Sequence, residues 1–219
     1  MKFLIFLGSV RDSTPPSPAR LGLRVSRACE CFFKAAYPEH SIEIIDPLDY
    51  ELGGVFKPHF SYEKSRVPQE LQTLAQKIES SQGYMMVSPE YNHSMSPALS
   101  HLLNHFGSSL FSYKPSSIVT YSAGQWGGTR AAVGMRSFLS ELGCLPVSAM
   151  IHVPFAQDVF NEQGLVAKSE EEAQWQTYFF RTLNQLVWWA QAAQAQAVQQ
   201  NPHAISQAFI KDPSQRNAP

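Results

Sequence analysis

Short apolar runs alternate with amphipathic stretches along this chain, and this alternation constrains the fold more than any other feature. The first run, residues 2–7, is apolar after its lysine and ends in Gly-Ser, which is typical of a strand buried on both faces. A helical stripe follows over residues 20–36, entered through Ser17 and Pro18. The same reasoning predicts strands over 41–45, 83–87, 117–121 and 147–153, and helices over 68–80, from Ser96-Pro97, over 128–142, and from a Ser169–Glu172 capping box through Ala190.

Five strands that alternate with five helices predict an α/β fold, a doubly wound five-stranded parallel sheet with helices on both faces. Ligands of such folds bind beyond the carboxyl ends of the strands, so the loops after strands one, three and four form the candidate site. We assign residues 1–195 to one domain and predict a flexible, Gln-rich tail over 196–219. Residues 46–67, here called the arm, are too many for an ordinary connection, which predicts a lid or a contact segment.

Composition narrows the possible partners. Lys plus Arg number 17 and Asp plus Glu 18, so a broad basic face for nucleic acid is not expected. Charged residues make up 16% of the chain, below the roughly 25% of typical soluble domains, which favours a homodimer or homotetramer. The three cysteines lack CxxC spacing, which disfavours a disulfide framework or a zinc site and fits a reducing, cytoplasmic location. No apolar stretch approaches about 18 residues, so no membrane span is predicted.

The first loop, residues 8–11, reads GSVR and lies between a predicted strand and a predicted helix. Free backbone amides and the helix dipole favour an anion at such a position. Ser9 adds a hydroxyl, Arg11 a guanidinium, and Arg20 a second charge at the helix entry. Because the loop has neither GxGxxG nor GxxxxGK[ST], a terminal phosphate fits it better than a dinucleotide or a nucleoside triphosphate, and a plain strand-ending turn is the alternative.

Two further loops carry polar groups suited to a flat ring. The PEYN loop, residues 88–94, reads SPEYNHS and offers an aromatic ring at Tyr91 and a carboxylate at Glu90, which is either a general acid or base or a structural or ring-edge group. The glycine loop, residues 122–128, reads SAGQWGG, and its glycines permit close backbone approach to carbonyl oxygens. A phosphate at one end and a planar heterocycle at the other describe a phosphorylated flavin.

The motifs GSVR, SPEYNHS-x-SPALS and YSAGxxGGTRAAVGMRSFLSELG resemble the NADPH-dependent FMN reductase family of flavodoxin-like proteins. The resemblance runs from about Lys2 to the last helix, and implies a flavodoxin-like FMN-binding domain with NADPH or NADH as hydride donor. It implies that the first loop binds the FMN phosphate and that the other two loops bind the isoalloxazine. The cofactor-binding residues implied are Ser9, Arg11, Arg20, Gly22, Pro89, Glu90, Tyr91, Asn92, Ser122, Ala123, Gly124, Gly127 and Gly128.

The resulting prediction is an FMN-dependent oxidoreductase that passes a hydride from NAD(P)H to a quinone, azo compound, flavin or similar small acceptor. The cofactor carries that chemistry, so no catalytic side chain is assigned. The alternatives are a non-enzymatic flavodoxin-type electron carrier and an FMN-binding regulatory scaffold. His101 and His105 stand four apart on a predicted helix, but no acidic partner follows as in HExxH, so we predict ordinary helix histidines and no metal site.

Overall fold

The structure, a computed structural model, describes residues 1–204 except Pro15 and Gly54. The strands are β1 Lys2–Leu7, β2 Ser41–Ile45, β3 Gly83–Tyr91, β4 Ser94–Met95, β5 Pro115–Tyr121, β6 Leu145–Pro146 and β7 Ile151–Val153. The helices are α1 Leu21–Ala36, α2 Gln69–Ser80, α3 Pro97–Asn104, α4 Thr129–Glu141, α5 Ala156–Val159 and α6 Glu172–Gln199. Among the described residues, no helix is long and apolar enough to cross a membrane.

The sheet confirms the predicted doubly wound architecture. Its strand order is β2-β1-β3-β5, with β6 and β7 both pairing in parallel with β5 and together filling the fifth position. All of these pairings are parallel. This is the flavodoxin order, in which the direction of strand addition across the sheet reverses between β1 and β3 and leaves a crevice at their carboxyl ends.

Helices cover both faces of the sheet, as predicted. Alternate residues of β1 enter opposite cores: Phe3 and Ile5 pack under α1 and α6, whereas Leu4 and Phe6 pack under α2, α3 and α4. All four side chains are fully buried. Because both faces of β1 are buried, its residues form one continuous apolar run, and this run is the pattern from which the strand was predicted.

The predicted fifth strand over 147–153 is wrong as a continuous element. β6 and β7 are separated by residues 147–150. The Val147 amide still donates to the Ser116 carbonyl of β5 at 2.8 Å, and residues 148–150 have no strand partner among the described residues. The side chain of Gln185 accepts hydrogen bonds from the Ser148 hydroxyl and the Ala149 amide, each at 3.0 Å. A side chain of α6 thus replaces the strand partner here, which no local pattern encodes.

Two predicted helix caps are also wrong. Ser17 and Pro18 lie outside α1, whose N-cap is Arg20; the amide of Arg20 donates to the Ser13 hydroxyl at 3.0 Å. Ser169 starts a short 3-10 turn instead of capping α6, which begins at Glu172 without a side-chain cap. By contrast, the Ser96 hydroxyl accepts from the Leu99 amide and caps α3 as predicted.

The arm contains three short 3-10 turns, at Pro47–Asp49, His59–Ser61 and Lys64–Arg66. It packs against the core under α2 and α3 through the partly buried side chains of Tyr50, Leu52, Tyr62 and Val67. At the other end of the chain, α6 runs to Gln199, four residues past the boundary predicted at 195. A short 3-10 turn at Pro202–Ala204 follows, and residues 205–219 of the predicted tail lie outside the described residues.

Candidate functional site

The backbone of Gly8 connects the first loop by hydrogen bonds to β3 and to the Ser96 hydroxyl at the start of α3. The Gly8 amide donates to the Val87 carbonyl at 2.8 Å, and its carbonyl accepts from the Ser96 hydroxyl at 2.7 Å. A β-carbon at Gly8 would lie 2.5 Å from the Val87 oxygen, so a side chain does not fit. The loop therefore begins at a fixed point beside the crevice between β1 and β3.

Beyond Gly8 the loop offers unpaired backbone donors. Among the described residues, none accepts a hydrogen bond from the amides of Ser9, Val10 or Arg11. The Gly22 amide, in the first turn of α1, also has no acceptor within the described ranges. Ser9 is only 5% exposed. Such a set of amides at a helix entry fits an anion.

Gly22 and the buried phenol of Tyr121 lie close to each other and to Ser9 of the first loop. A β-carbon at Gly22 would lie 2.5 Å from the Tyr121 hydroxyl oxygen and 2.9 Å from the β-carbon of Ser9. Glycine is therefore required for packing at this position. Burial raises the pKa of the Tyr121 phenol above its ordinary range, so the group stays neutral and can donate a hydrogen bond. The sequence analysis missed Tyr121, although a tyrosine that ends a strand before a glycine loop was a usable signal.

The two predicted phosphate arginines have different surroundings. Arg11 is exposed; its Nε donates to the Tyr91 hydroxyl at 2.9 Å, and its guanidinium lies 5.6 Å from the centroid of the Tyr91 ring. The Arg20 side chain is 5% exposed and paired with Asp46 at the end of β2, while its Nε has no partner among the described residues. Arg20 is thus already largely neutralised, and Arg11 is the freer charge.

The PEYN loop is mostly strand. β3 continues through Tyr91, with Pro89 opposite Tyr121, and turns back into β4 through Asn92 and His93. These two residues have φ values of 51° and 62°, the left-handed pair of a tight two-residue hairpin. The predicted strand end at residue 87 is therefore four residues short. β5 pairs with the first two of the added residues and β4 with the last two.

Glu90 fastens this hairpin to α4. Its carboxylate accepts from the amides of Arg130 and Ala131 at 3.1 and 3.3 Å, and lies 3.5 Å from the Arg130 guanidinium. A carboxylate at a helix N-terminus is stabilised by unpaired amides and by the helix dipole. Of the roles considered for Glu90, its contacts therefore match the structural one.

The glycine loop is held by hydrogen bonds from Ser122. The Ser122 hydroxyl accepts from the Gly127 amide at 2.9 Å and donates to the Gly124 carbonyl at 2.8 Å. Gly127 and Gly128 have φ values of 58° and 78°, where glycine is favoured. A β-carbon at Gly124, in contrast, would meet no atom within 4 Å. Gly127 and Gly128 are required by the backbone, whereas Gly124 leaves open space.

Two exposed aromatic rings lie on the PEYN loop and the glycine loop. Trp126 in the glycine loop is 57% exposed and Tyr91 is 37% exposed. The Arg130 guanidinium lies 4.9 Å from the Trp126 ring centroid, a cation–π distance. Sequence reasoning assigned no role to Trp126 or Arg130. The free amides of Ala123 and Gly124, which have no acceptor among the described residues, lie in the same loop.

The histidine pair on α3 packs as ordinary side chains. The rings of His101 and His105 lie edge to face at 4.6 Å, and the His105 Nδ1 contacts the His101 carbonyl at 2.8 Å. Burial lowers the pKa of His105, which favours the neutral imidazole. Among the described residues, no group of three or more His, Cys, Asp or Glu side chains is placed to share a metal ion.

These residues fit FMN: a cradle of free amides with Ser9 and Arg11 suits a phosphate, and free amides beside the open space at Gly124 suit a planar ring.

The fold agrees with solved structures. FerB, a flavoenzyme NAD(P)H:(acceptor) oxidoreductase from Paracoccus denitrificans, has a TM-score of 0.64 at 16% identity over 84% of this chain and 96% of FerB. RosB with a bound 8-demethyl-8-formylriboflavin-5'-phosphate intermediate has a TM-score of 0.62 at 15% identity over 96% of this chain and 87% of RosB.

A flavodoxin variant from Pseudomonas aeruginosa has a TM-score of 0.50 at 13% identity over 85% of this chain and 99% of the flavodoxin. At these identities the likeness shows the fold alone, which is flavodoxin-like. Residues 1–158 match the family NADPH-dependent FMN reductase, and the chain belongs to that family. Membership makes it a flavoprotein oxidoreductase that uses FMN and a nicotinamide donor, as the sequence motifs predicted.

Proposed function

We propose that this protein uses FMN to pass reducing equivalents from NADPH, or NADH, to a small planar acceptor such as a quinone, azo compound or free flavin. The observation that carries the proposal is the set of backbone amides without acceptors in the first loop and the glycine loop, at one edge of the sheet, in a chain of this family. Bound FMN supplies the hydride chemistry, so the protein contributes binding and orientation.

The phosphate would be held at the first loop. The amides of residues 9–11 and the Ser9 hydroxyl offer neutral donors, and Arg11 offers a charged one. Arg20 contributes less direct charge because Asp46 already pairs with it. A dianionic phosphate therefore gains most of its charge-assisted binding from Arg11.

The flavin ring would lie against the glycine loop and the end of β3. The rings of Tyr91 and Trp126 stand exposed at this edge and could stack on a planar donor or acceptor that approaches the flavin. An open ring face of this kind favours acceptors that are themselves flat. Because donor and acceptor would use one face in turn, we expect ping-pong kinetics.

We also propose a homodimer, with a homotetramer as the alternative, in which the arm contacts the neighbouring subunit near the site. Support comes from large apolar side chains exposed on the arm: Val55 at 83%, Phe56 at 50% and Phe60 at 66%. Such a cluster favours a protein contact. Light scattering at micromolar concentration should give about twice 24.5 kDa, and a monomer with full FMN affinity would contradict the proposal.

A cytoplasmic location is proposed on the unpaired cysteines.

The direct test is anaerobic reduction of the FMN-loaded protein, followed by stopped-flow absorbance. NADPH or NADH should bleach the oxidised flavin band, and a quinone added afterwards should restore it, with free FMN at equal concentration as the control. A bound flavin that neither nicotinamide reduces would favour the electron-carrier alternative. A flavin that is reduced but passes electrons to no quinone, azo dye or free flavin would favour the regulatory scaffold.

A further inference from the structure

Thr120 and His152 are directly paired residues of β5 and β7 beneath the glycine loop. The Thr120 hydroxyl oxygen lies 2.8 Å from the His152 Nδ1 and 2.8 Å from the Gly127 carbonyl oxygen. Thr120 is fully buried. One buried hydroxyl therefore joins a histidine of the edge strand to the backbone of the glycine loop.

The direction of these hydrogen bonds follows from the chemistry of the groups. A carbonyl oxygen only accepts, so the Thr120 hydroxyl must use its single proton toward Gly127. The imidazole nitrogen must then donate, and His152 carries its proton on Nδ1. Burial and the nearby charge of Arg181 lower the pKa of His152, so the neutral ring with Nδ1–H is the form at neutral pH.

The hydrogen bonds from His152 to Thr120 and from Thr120 to Gly127, here called the relay, determine the direction of the Gly128 amide. In a planar trans peptide the carbonyl of one residue and the amide of the next point in opposite directions. Because the Gly127 carbonyl points to the Thr120 hydroxyl, the Gly128 amide points away from it. Gly128 is buried, yet its amide has no acceptor among the described residues. A buried amide without a partner is costly unless a ligand accepts from it.

Other contacts keep His152 in place without competing for its ring. The His152 backbone amide donates to the Tyr178 hydroxyl at 3.0 Å, which satisfies the exposed side of the edge strand. The Ser122 hydroxyl holds the Gly127 amide, so both polar groups of Gly127 are fixed by hydroxyls. The peptide between Gly127 and Gly128 therefore has little freedom to rotate.

We infer that His152 is a positioning residue for the flavin ring, acting through Thr120 on the Gly127 carbonyl so that the Gly128 amide is presented to the ring. The inference rests on the proposed function. Negative charge collects on the pyrimidine edge of a flavin when it is reduced, so a fixed donor there stabilises the reduced form more than the oxidised form. Loss of the relay should lower both ring affinity and reduction potential.

The test is Thr120→Val, which removes the hydroxyl at nearly equal size, with Thr120→Ser as the matched control that retains it. Thr120→Val should weaken FMN and riboflavin alike, by about 3- to 10-fold, because the change acts on the ring and not on the phosphate. The midpoint potential, measured by chemical reduction without NAD(P)H, should fall by about 30 mV if reduced flavin loses tenfold more affinity than oxidised flavin. Thr120→Ser should restore both values.

Two results with these variants would overturn the inference: a Thr120→Val protein with unchanged affinity and potential, or a Thr120→Ser protein as impaired as Thr120→Val. If Thr120→Val does not fold, His152→Leu and His152→Asn replace it, since Asn keeps a donor near the Nδ1 position. His152→Leu should then lower affinity and potential and His152→Asn should restore them; equal values in both variants would overturn the inference.

A readout independent of flavin separates this inference from the proposed function. Nitrogen-15 NMR of the flavin-free protein should report the Nδ1–H tautomer of His152, and the Nε2–H tautomer would overturn the relay. A holoprotein that NAD(P)H fails to reduce would contradict the proposed function, yet would leave the tautomer, the flavin affinity and the chemical reduction potential measurable.

Discussion

The first loop and the glycine loop leave the same edge of the sheet and both present unpaired amides, but different contacts hold them. The first loop is fixed at Gly8 by the Val87 carbonyl and the Ser96 hydroxyl, and its one charged residue, Arg11, contacts Tyr91. Arg20, at the entry to α1, pairs with Asp46. The glycine loop contains no charged residue. Backbone hydrogen bonds hold it at Ser122 and Gly124, and the hydroxyls of Ser122 and Thr120 fix the two polar backbone groups of Gly127. A phosphate site needs charge that stays available, whereas a ring site needs backbone groups held in one orientation.

The largest effect is expected at the ion pair behind the first loop. Asp46→Ala should lower the free energy of unfolding by about 3 kcal/mol, because it leaves the buried Arg20 guanidinium without a counter-charge. The value is at the low end for buried pairs since the Asp46 side chain remains 16% exposed. Urea unfolding measures it, with Asp46→Asn as a control that keeps a hydrogen-bond acceptor. A loss below about 1 kcal/mol would mean that solvent compensates Arg20.

Arg11→Ala tests whether the first loop binds the phosphate or the ring of the flavin. Loss of one charge-assisted hydrogen bond of about 1.5 to 3 kcal/mol should weaken FMN by roughly 10- to 100-fold and leave riboflavin almost unchanged. Fluorescence titration with both flavins measures the difference. Tyr91→Phe is the matched control, because it removes the hydroxyl that accepts from Arg11 and keeps both the aromatic ring and the charge of Arg11. Equal weakening of both flavins by Arg11→Ala would refute the phosphate assignment.

Gly128→Ala tests how strongly the backbone requires glycine in the glycine loop. The substitution should destabilise the fold by about 1 to 3 kcal/mol, because φ is 78° and the new β-carbon would lie 2.8 Å from the β-carbon of Thr120. Chemical unfolding of the flavin-free protein measures this. A neutral result would show that the loop relaxes at little cost and would weaken the argument for a fixed ring-binding backbone.

Glu90→Ala should cost about 1 kcal/mol of stability, because the amides of Arg130 and Ala131 lose their acceptor at the start of α4. Glu90→Gln retains an acceptor and should lose less. Thermal unfolding of the two variants provides the comparison. If Glu90→Ala keeps its stability but loses most of its turnover, the carboxylate acts in the reaction and the structural role is incomplete.

The smallest effect on stability is expected at Gly124. Gly124→Ala should change the free energy of unfolding by less than about 0.5 kcal/mol, because its β-carbon meets no protein atom. The same β-carbon would occupy space proposed for the ring edge, so NADPH should reduce the bound flavin more slowly in stopped-flow measurements. Unchanged reduction would contradict the contact between Gly124 and the ring and would place the ring elsewhere along the loop.

The local sequence pattern correctly predicted the strands and helices that can be recognised without knowing which distant residues they contact. The apolar run of β1, the stripes of α1 and α4, and the Ser96 cap of α3 were read from neighbouring residues, and the structure confirms them. Elements that depend on a distant partner were predicted less well. β3 is longer than predicted because β5 and then β4 pair with its last four residues. The fifth strand is split where Gln185 accepts hydrogen bonds from Ser148 and Ala149.

The sequence by itself determined the fold class, the order of strands and helices, and the three loops that meet at one sheet edge. Periodicity and turn residues are local properties, and parallel topology brings successive carboxyl ends together. Only the tertiary structure decided that Asp46 neutralises Arg20, that Glu90 caps α4, and that His152 acts on Gly127 through Thr120. These partners lie in different elements of the sequence, and packing alone fixes which donor meets which acceptor.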